Sequence, residues 1–184
     1  MGSEQEIYVV AGEYHPYRVW GFKNPKFNEA SGRMLDLKDE KDRKHPVAIR
    51  YFGQFVANAL RDHIHRKSPI LVGIVPGHKM DSLSPGLRAI VSNHVRPAFN
   101  IVNKRNPLRR HTDTKKRANG GDRSAANIFD TVEVVEGIIT PGSTVVLLDD
   151  VTTTGTSLKA CAELLKRAGA ERVLCIALMN TVHD

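Results

Sequence analysis

The sequence has little of what membrane, secreted or metal-cluster proteins are built from. It contains two cysteines, Cys161 and Cys175. Two thiols in apolar surroundings make neither a disulfide framework nor a zinc cluster, so reduced, buried thiols of a cytoplasmic protein are expected. No apolar run approaches the roughly 18 residues of a membrane span, and no membrane partner is expected. The first residues lack the basic-then-apolar order of a secretory leader. Gly2 follows Met1, but Glu6 breaks the myristoylation pattern. There is no internal repeat and no low-complexity tract. The eight histidines form no set with cysteine or carboxylate at metal-ligand spacing.

What is present is ordinary for a folded chain, with 41% hydrophobic and 26% charged residues. A length of 184 residues suits a single domain over 1–184. The charge is less ordinary. The net +7 is concentrated in residues 104–123, where eight lysines and arginines face only Asp113 and Asp122. Such a field attracts a polyanion, either nucleic acid or a phosphorylated small molecule. The window has no aromatic residue to stack on bases, which weakens a reader of single strands.

Periodicity gives an α/β pattern. Ile7–Val10 and Tyr17–Phe22 read as short strands around a His15-Pro16 turn. The charged run 38–44 reads as a solvated turn. Pro46 to Arg66 has the 3.6-residue stripe of a helix. Ile70–Val75 is a continuous apolar run, as in a strand covered on both faces. Leu83–Val95 reads as a helix, and Ala98–Val102 and Thr131–Val135 as strands. Val145–Asp149, Ser157–Ala168 and Arg172–Leu178 read as strand, helix, strand, with Gly169 at the helix stop. That order implies a parallel sheet flanked by helices. The link from Val135 to Val145 is too short for a helical crossover, which assigns Thr131–Val135 to a projecting arm with the basic window.

The chemistry concentrates in VVLLDDVTTTGTSLKAC, residues 145–161. An apolar strand delivers Asp149 and Asp150 to the edge where open α/β sheets bind ligands. Thr153, Thr154, Gly155, Thr156 and Ser157 then lead into a helix. Hydroxyls, free amides and a positive dipole end around a glycine make a phosphate cradle. The acid pair favours hydroxyl donors or a metal. A ligand with a phosphate at one end and vicinal hydroxyls in its middle, such as ribose 5-phosphate, satisfies both. The plainer alternative is that the acids end a strand and the Thr-rich stretch caps a helix. The strand-loop VGIVPGHK, residues 72–79, brings a Gly77 amide and the Lys79 cation to the same edge. It lacks the spacing and hydroxyl of a Walker A loop.

LLDDVTTTGTS, residues 147–157, resembles the phosphoribosyl pyrophosphate signature of the type I phosphoribosyltransferases, and among them the ComF-like members. Leu37-Lys38, VGIVPGHK, and Arg123 with Asn127 before Phe129 are similar to ComF-like proteins, so the resemblance extends over roughly residues 35–180. Thr152 stands where those members usually have an apolar residue, and their cysteine-rich zinc segment is missing. The resemblance implies a type I fold with a small N-terminal hood (1–45) and a flexible basic loop (104–130). It implies that Asp149 and Asp150 hold the ribose hydroxyls and bind metal indirectly or weakly. Thr153 to Ser157 would hold the 5′-phosphate, and Pro76, Gly77, His78 and Lys79 the pyrophosphate. Lys79 and Arg110 would act in catalysis beside the acid pair, with Lys115 and Arg123 on the loop that closes.

The implied reaction uses phosphoribosyl pyrophosphate and Mg²⁺, with a nitrogen nucleophile displacing pyrophosphate. In 6-oxopurine enzymes the third residue after the acid pair is an Asp. Here it is Thr153, which argues against hypoxanthine or guanine. Tyr14, Tyr17, Trp20 and Phe22 would form a base-binding hood, or else core or a dimer interface. A homodimer is expected. The alternative is a catalytically silent sensor of the same ligand that binds nucleic acid through its basic loop.

Overall fold

A computed structural model describes residues 6–114 and 124–182. Strand β1 (Ile7–Val9) and strand β2 (Glu13–Tyr14) come first, then a hairpin of β3 (Arg18–Val19) and β4 (Phe22–Lys23). Helix α1 (Glu29–Lys38) and helix α2 (His45–His63) follow, then β5 (Leu71–Ile74) and α3 (Pro85–Ile90), which runs on as a π turn over Val91–Val95. Next are β6 (Leu108–Arg110), α4 (Ala125–Thr131) and β7 (Val132–Val134). The chain closes with β8 (Ser143–Thr152), α5 (Thr156–Arg167) and β9 (Ala170–Thr181).

The main sheet is wholly parallel, in the order β1-β9-β8-β5, with β2 also pairing along β9. Alternation along its central strands divides the core between two faces. Val146, Leu148, Leu174 and Ile176 pack toward α1, α2 and α3, while Val145, Leu147, Val173 and Cys175 pack toward α5. The expected parallel sheet flanked by helices is therefore present. Residues 7–14, assigned to a hood from sequence, join the edge of this sheet instead.

Several boundaries differ, each for a local reason. Tyr17–Phe22 is not one strand but a hairpin, turned by Trp20 and Gly21 at φ +55° and +83°. Helix α1 was not read from sequence. Its Asn28 cap accepts a hydrogen bond from the Ser31 amide, and the helix buries Met34 and Leu37. Helix α2 stops at His63, with Ile64 already extended. Ser84 caps α3, so that helix starts two residues later than read. The window 104–130, expected to be one flexible loop, contains β6 and α4, and β6 pairs antiparallel with β7 as a stem. Strand β8 continues to Thr152, so Asp149 and Asp150 stand inside the strand rather than at its end.

Ala98–Val102 forms no strand, and only the Ile70–Ile101 bridge extends the sheet there. Two side-chain amides take the place of a neighbouring strand along β5. Asn103 accepts from the Val72 amide (2.9 Å) and donates to the Val72 carbonyl (2.8 Å). Asn106 does the same at Ile74, at 2.7 and 3.0 Å. Ala at position 106 would leave part-buried backbone groups of Ile74 unsatisfied. Asn106→Ala is expected to cost about 1–3 kcal/mol, read as a lower urea midpoint with an unchanged slope.

Cys175 is fully buried, and burial is the main reason its thiol is pushed up from 9.0 to about 12, with Asp149 adding and Lys166 opposing. Above about pH 9 the unfolded thiol releases a proton that the folded one keeps, so the native state loses stability with rising pH until about 12. Urea midpoints taken in reducing buffer at about pH 8 and about pH 10 should fall less for Cys175→Ala than for the parent chain.

Candidate functional site

The C-terminal edge of β8 and the loop after β5 frame an open cleft of about 460 Å³. Its walls include Gly77, His78, Arg110, Asp149, Asp150 and Ser157. The extended backbone sends the two adjacent carboxylates to opposite sides of the strand. Asp150 turns toward α1, where Lys38 Nζ lies 3.3 Å from its Oδ2. Lys38 also sits 5.9 Å from the centre of the Tyr14 ring. Reading 38–44 as a solvated turn missed this. Lys38 is the last residue of α1 and a wall of the cleft. Only its place in the family-like Leu37-Lys38 pair signalled a role.

The loop after β5 is closed on itself and stitched to the arm. The Gly77 amide donates to the Ser82 carbonyl at 2.8 Å, and a Cβ on Gly77 would press within 3.0 Å of Ser82 Oγ. Arg110 Nε donates to the Gly77 carbonyl, and its Nη1 donates to Thr131 Oγ1 at the end of α4. Both the amide and the hydroxyl of Thr114 donate to the His78 carbonyl, at 2.7 and 3.1 Å. The Met80 amide reaches Asp113 Oδ1 at 2.6 Å, and Arg109 Nε reaches Asp81 Oδ1 at 2.7 Å. Arg110 is only 4% exposed, so it positions the loop from behind. Lys79 is exposed and is not among the residues lining the cleft.

Gly155 caps α5 at φ +75°, and no side chain closes the helix start. A Cβ there would lie 2.4 Å from Ile7 Cδ1, which adds a steric reason for glycine. The hydroxyls of Thr154 and Thr156 bond each other at 2.8 Å instead of capping. Ser157 Oγ is buried with no hydrogen-bond partner, facing the same cleft as the acids. A helix start with unclaimed amides and an orphaned hydroxyl is what a bound anion would complete. These features go against simple helix capping. Thr153, Thr154 and Gly155 open on a second cleft of about 550 Å³, which Lys159 also lines. The loop thus presents groups on two sides. Lys115 and Arg123 fall outside the described residues.

Among the described residues no group of three metal-ligating side chains occurs. Asp149 and Asp150 fit a hard cation such as Mg²⁺ only when ligand oxygens and water complete its shell. Of the aromatic residues read as a hood, Tyr14 meets the site through Lys38, whereas Trp20 is 93% exposed at the hairpin tip.

The sequence model of the phosphoribosyl transferase domain matches residues 96–184. A 44-residue segment is 54% identical to the adenine phosphoribosyltransferase of Rhodospirillum rubrum, covering 24% of this chain and 26% of that protein. The chain thus spans about a quarter of the length of that curated relative. The crystal structure of a hypoxanthine phosphoribosyltransferase from Staphylococcus aureus is similar over 74% of this chain and 67% of that one, at 17% identity and a TM-score of 0.42.

Lysine keeps the charge at position 110 but lacks the planar fork that reaches both Gly77 and Thr131. Arg110→Lys is expected to lose about 1–3 kcal/mol. Hydrogen exchange should report faster exchange at Gly77 and Ser82, with the amides of β9 unchanged.

Proposed function

We propose that the chain is a phosphoribosyltransferase that binds 5-phosphoribosyl 1-diphosphate and transfers ribose 5-phosphate to a nitrogen nucleophile. The observation that carries this reading is Ser157 Oγ, buried and unpartnered at an uncapped helix start in the same cleft as Asp149 and Asp150. The domain match over residues 96–184 supports it. The segment shared with an adenine phosphoribosyltransferase supports a nitrogenous base as the acceptor. Asp-Asp-Val followed by Thr-Thr-Gly supports a ComF-like member of the class.

In this reading the amides of Thr156 and Ser157, with the hydroxyls of Thr153 to Ser157, hold the 5′-phosphate. Asp149 and Asp150 accept hydrogen bonds from the ribose hydroxyls, which draws Asp150 away from Lys38. The loop after β5, braced by Arg110, walls the space for the diphosphate. Its Gly77 amide and its Gly77 and His78 carbonyls are already engaged within the protein, which goes against the sequence expectation of a Gly77 amide offered to the ligand. The bond from C1 to the diphosphate oxygen breaks as the nitrogen–C1 bond forms, and the nucleophile releases its proton. Asp149 and Asp150 would hold a Mg²⁺ through water, and that ion would supply neutralisation of the leaving group's charge. The chain's own contribution is orientation and fixed dipoles. The exposed hairpin with Trp20 and Phe22 supports a homodimer.

The test is a thermal shift with phosphoribosyl pyrophosphate and Mg²⁺, followed by pyrophosphate release with a panel of bases and amines. Ligand at about 100 times its dissociation constant should add about 2.7 kcal/mol. Asp149→Asn with Asp150→Asn should remove the shift while leaving the ligand-free midpoint near that of the parent, and chelation of Mg²⁺ should reduce it. No shift in the parent chain would overturn the reading. A shift without pyrophosphate release would favour the silent sensor.

A further inference from the structure

A second basic feature lies outside this site, along the outer edge of β5. A groove of about 340 Å³ there has Val72, Ile74 and Val91 in its floor and Arg88, Arg96, Lys104 and Arg105 around it. Among the described residues, no acidic one lines it. Among the described residues, none of the four cations pairs with a carboxylate. The groove shares Asn103, Lys104 and Arg105 with a cleft of about 690 Å³ at the foot of β8, which among the described residues also has no acidic lining. The two clefts adjoin at those residues. The cations sit at the groove and the junction, the rest of the second cleft is neutral, and Glu171 stands beside its far end at Gly142.

We propose that this surface binds the sugar–phosphate backbone of a nucleic acid strand. Three observations select that occupant. Four uncompensated cations exceed what one phosphate neutralises, whereas a strand brings a charge with every nucleotide. The two clefts run on from one another, which suits an extended ligand. A peptide strand adding to β5 would need its edge groups, and at Val72 and Ile74 the Asn103 and Asn106 amides already hold both donor and acceptor. Among the described residues no aromatic one lines either cleft, so the contact is with backbone rather than stacked bases and is indifferent to sequence. The proposal does not rest on the transferase reading, since none of the groove's cations belongs to that site.

The experiment measures binding of labelled single- and double-stranded oligonucleotides by fluorescence anisotropy across salt. Log affinity should fall linearly with log salt, with a slope near −3 for about four phosphate contacts. Among the described residues Arg88, Lys104 and Arg105 make no side-chain hydrogen bond, so their combined replacement by Ala should keep the thermal midpoint. That variant should bind at least ~10-fold more weakly, with a slope shallower by about 2. Lys115→Ala with Lys116→Ala and Arg117→Ala should keep most of the affinity, and so should Asp149→Asn with Asp150→Asn. The proposal is overturned if the parent chain does not bind at about 50 mM salt. It is equally overturned if the groove variant keeps the parent slope, if either control variant loses binding, or if polyglutamate competes as well as an unlabelled oligonucleotide.

Discussion

The buried guanidinium of Arg110 is the contact on which the arrangement of the cleft depends. A charge at 4% exposure is costly unless each of its donors finds an acceptor. Its partners come from distant parts of the chain, with Gly77 in the loop after β5 and Thr131 at the end of α4. Its own carbonyl accepts from the Asp81 amide at 3.0 Å. The desolvated cation can be satisfied only when strand β6, the β5 loop and α4 meet in one geometry. The same geometry aims the Gly77–His78 backbone at the cleft. Arg109, one residue away, faces outward to Asp81 and Glu133, and the Asp81 hydrogen bond foremost pushes its pKa further up.

The two ends of the site are prepared differently. At the carboxylate end Asp150 already has a cationic partner, Lys38, so a diol binding there exchanges one polar contact for another. At the helix start no capping side chain has to be displaced, because Gly155 brings none, and among the described residues Ser157 Oγ has no partner; the Thr154 and Thr156 hydroxyls bond only each other. An anion therefore gains most where the chain has left its own groups unsatisfied. In the proposed reading, this asymmetry would assign anchoring to the phosphate end and adjustment to the sugar end. It also explains why a lysine on α1, far from the signature in sequence, belongs to the same cleft.

What was legible in the sequence followed apolar periodicity. Strands β5, β8 and β9 and helices α2 and α5 are apolar runs or stripes, and burial fixes them whatever their neighbours do. The signature residues were legible because a strand, an acid pair and a hydroxyl-rich glycine turn follow each other without interruption. Helix α1 was not, since only Met34 and Leu37 mark its buried apolar side. Nor were Asn103 and Asn106, because nothing local tells an amide that replaces a strand from one in a loop. The sequence reading ends the strand at Asp149, because its apolar run stops there. Pairing of Val151 and Thr152 with Met179 and Asn180 carries the strand past both acids.

The basic window illustrates why a sum of charges cannot assign a surface. Within it Arg110 is consumed in the interior and Arg109 is paired, so neither offers a free charge to a ligand. Lys104 and Arg105, at the start of the window, instead join Arg88 and Arg96, which the linear count had left in the nearly neutral remainder. Folding has redistributed one linear run into a structural cation behind the cleft and a separate external face. Leu83 lines both the groove and the cleft. The two surfaces thus meet at the segment that leads from the Gly77 loop into α3.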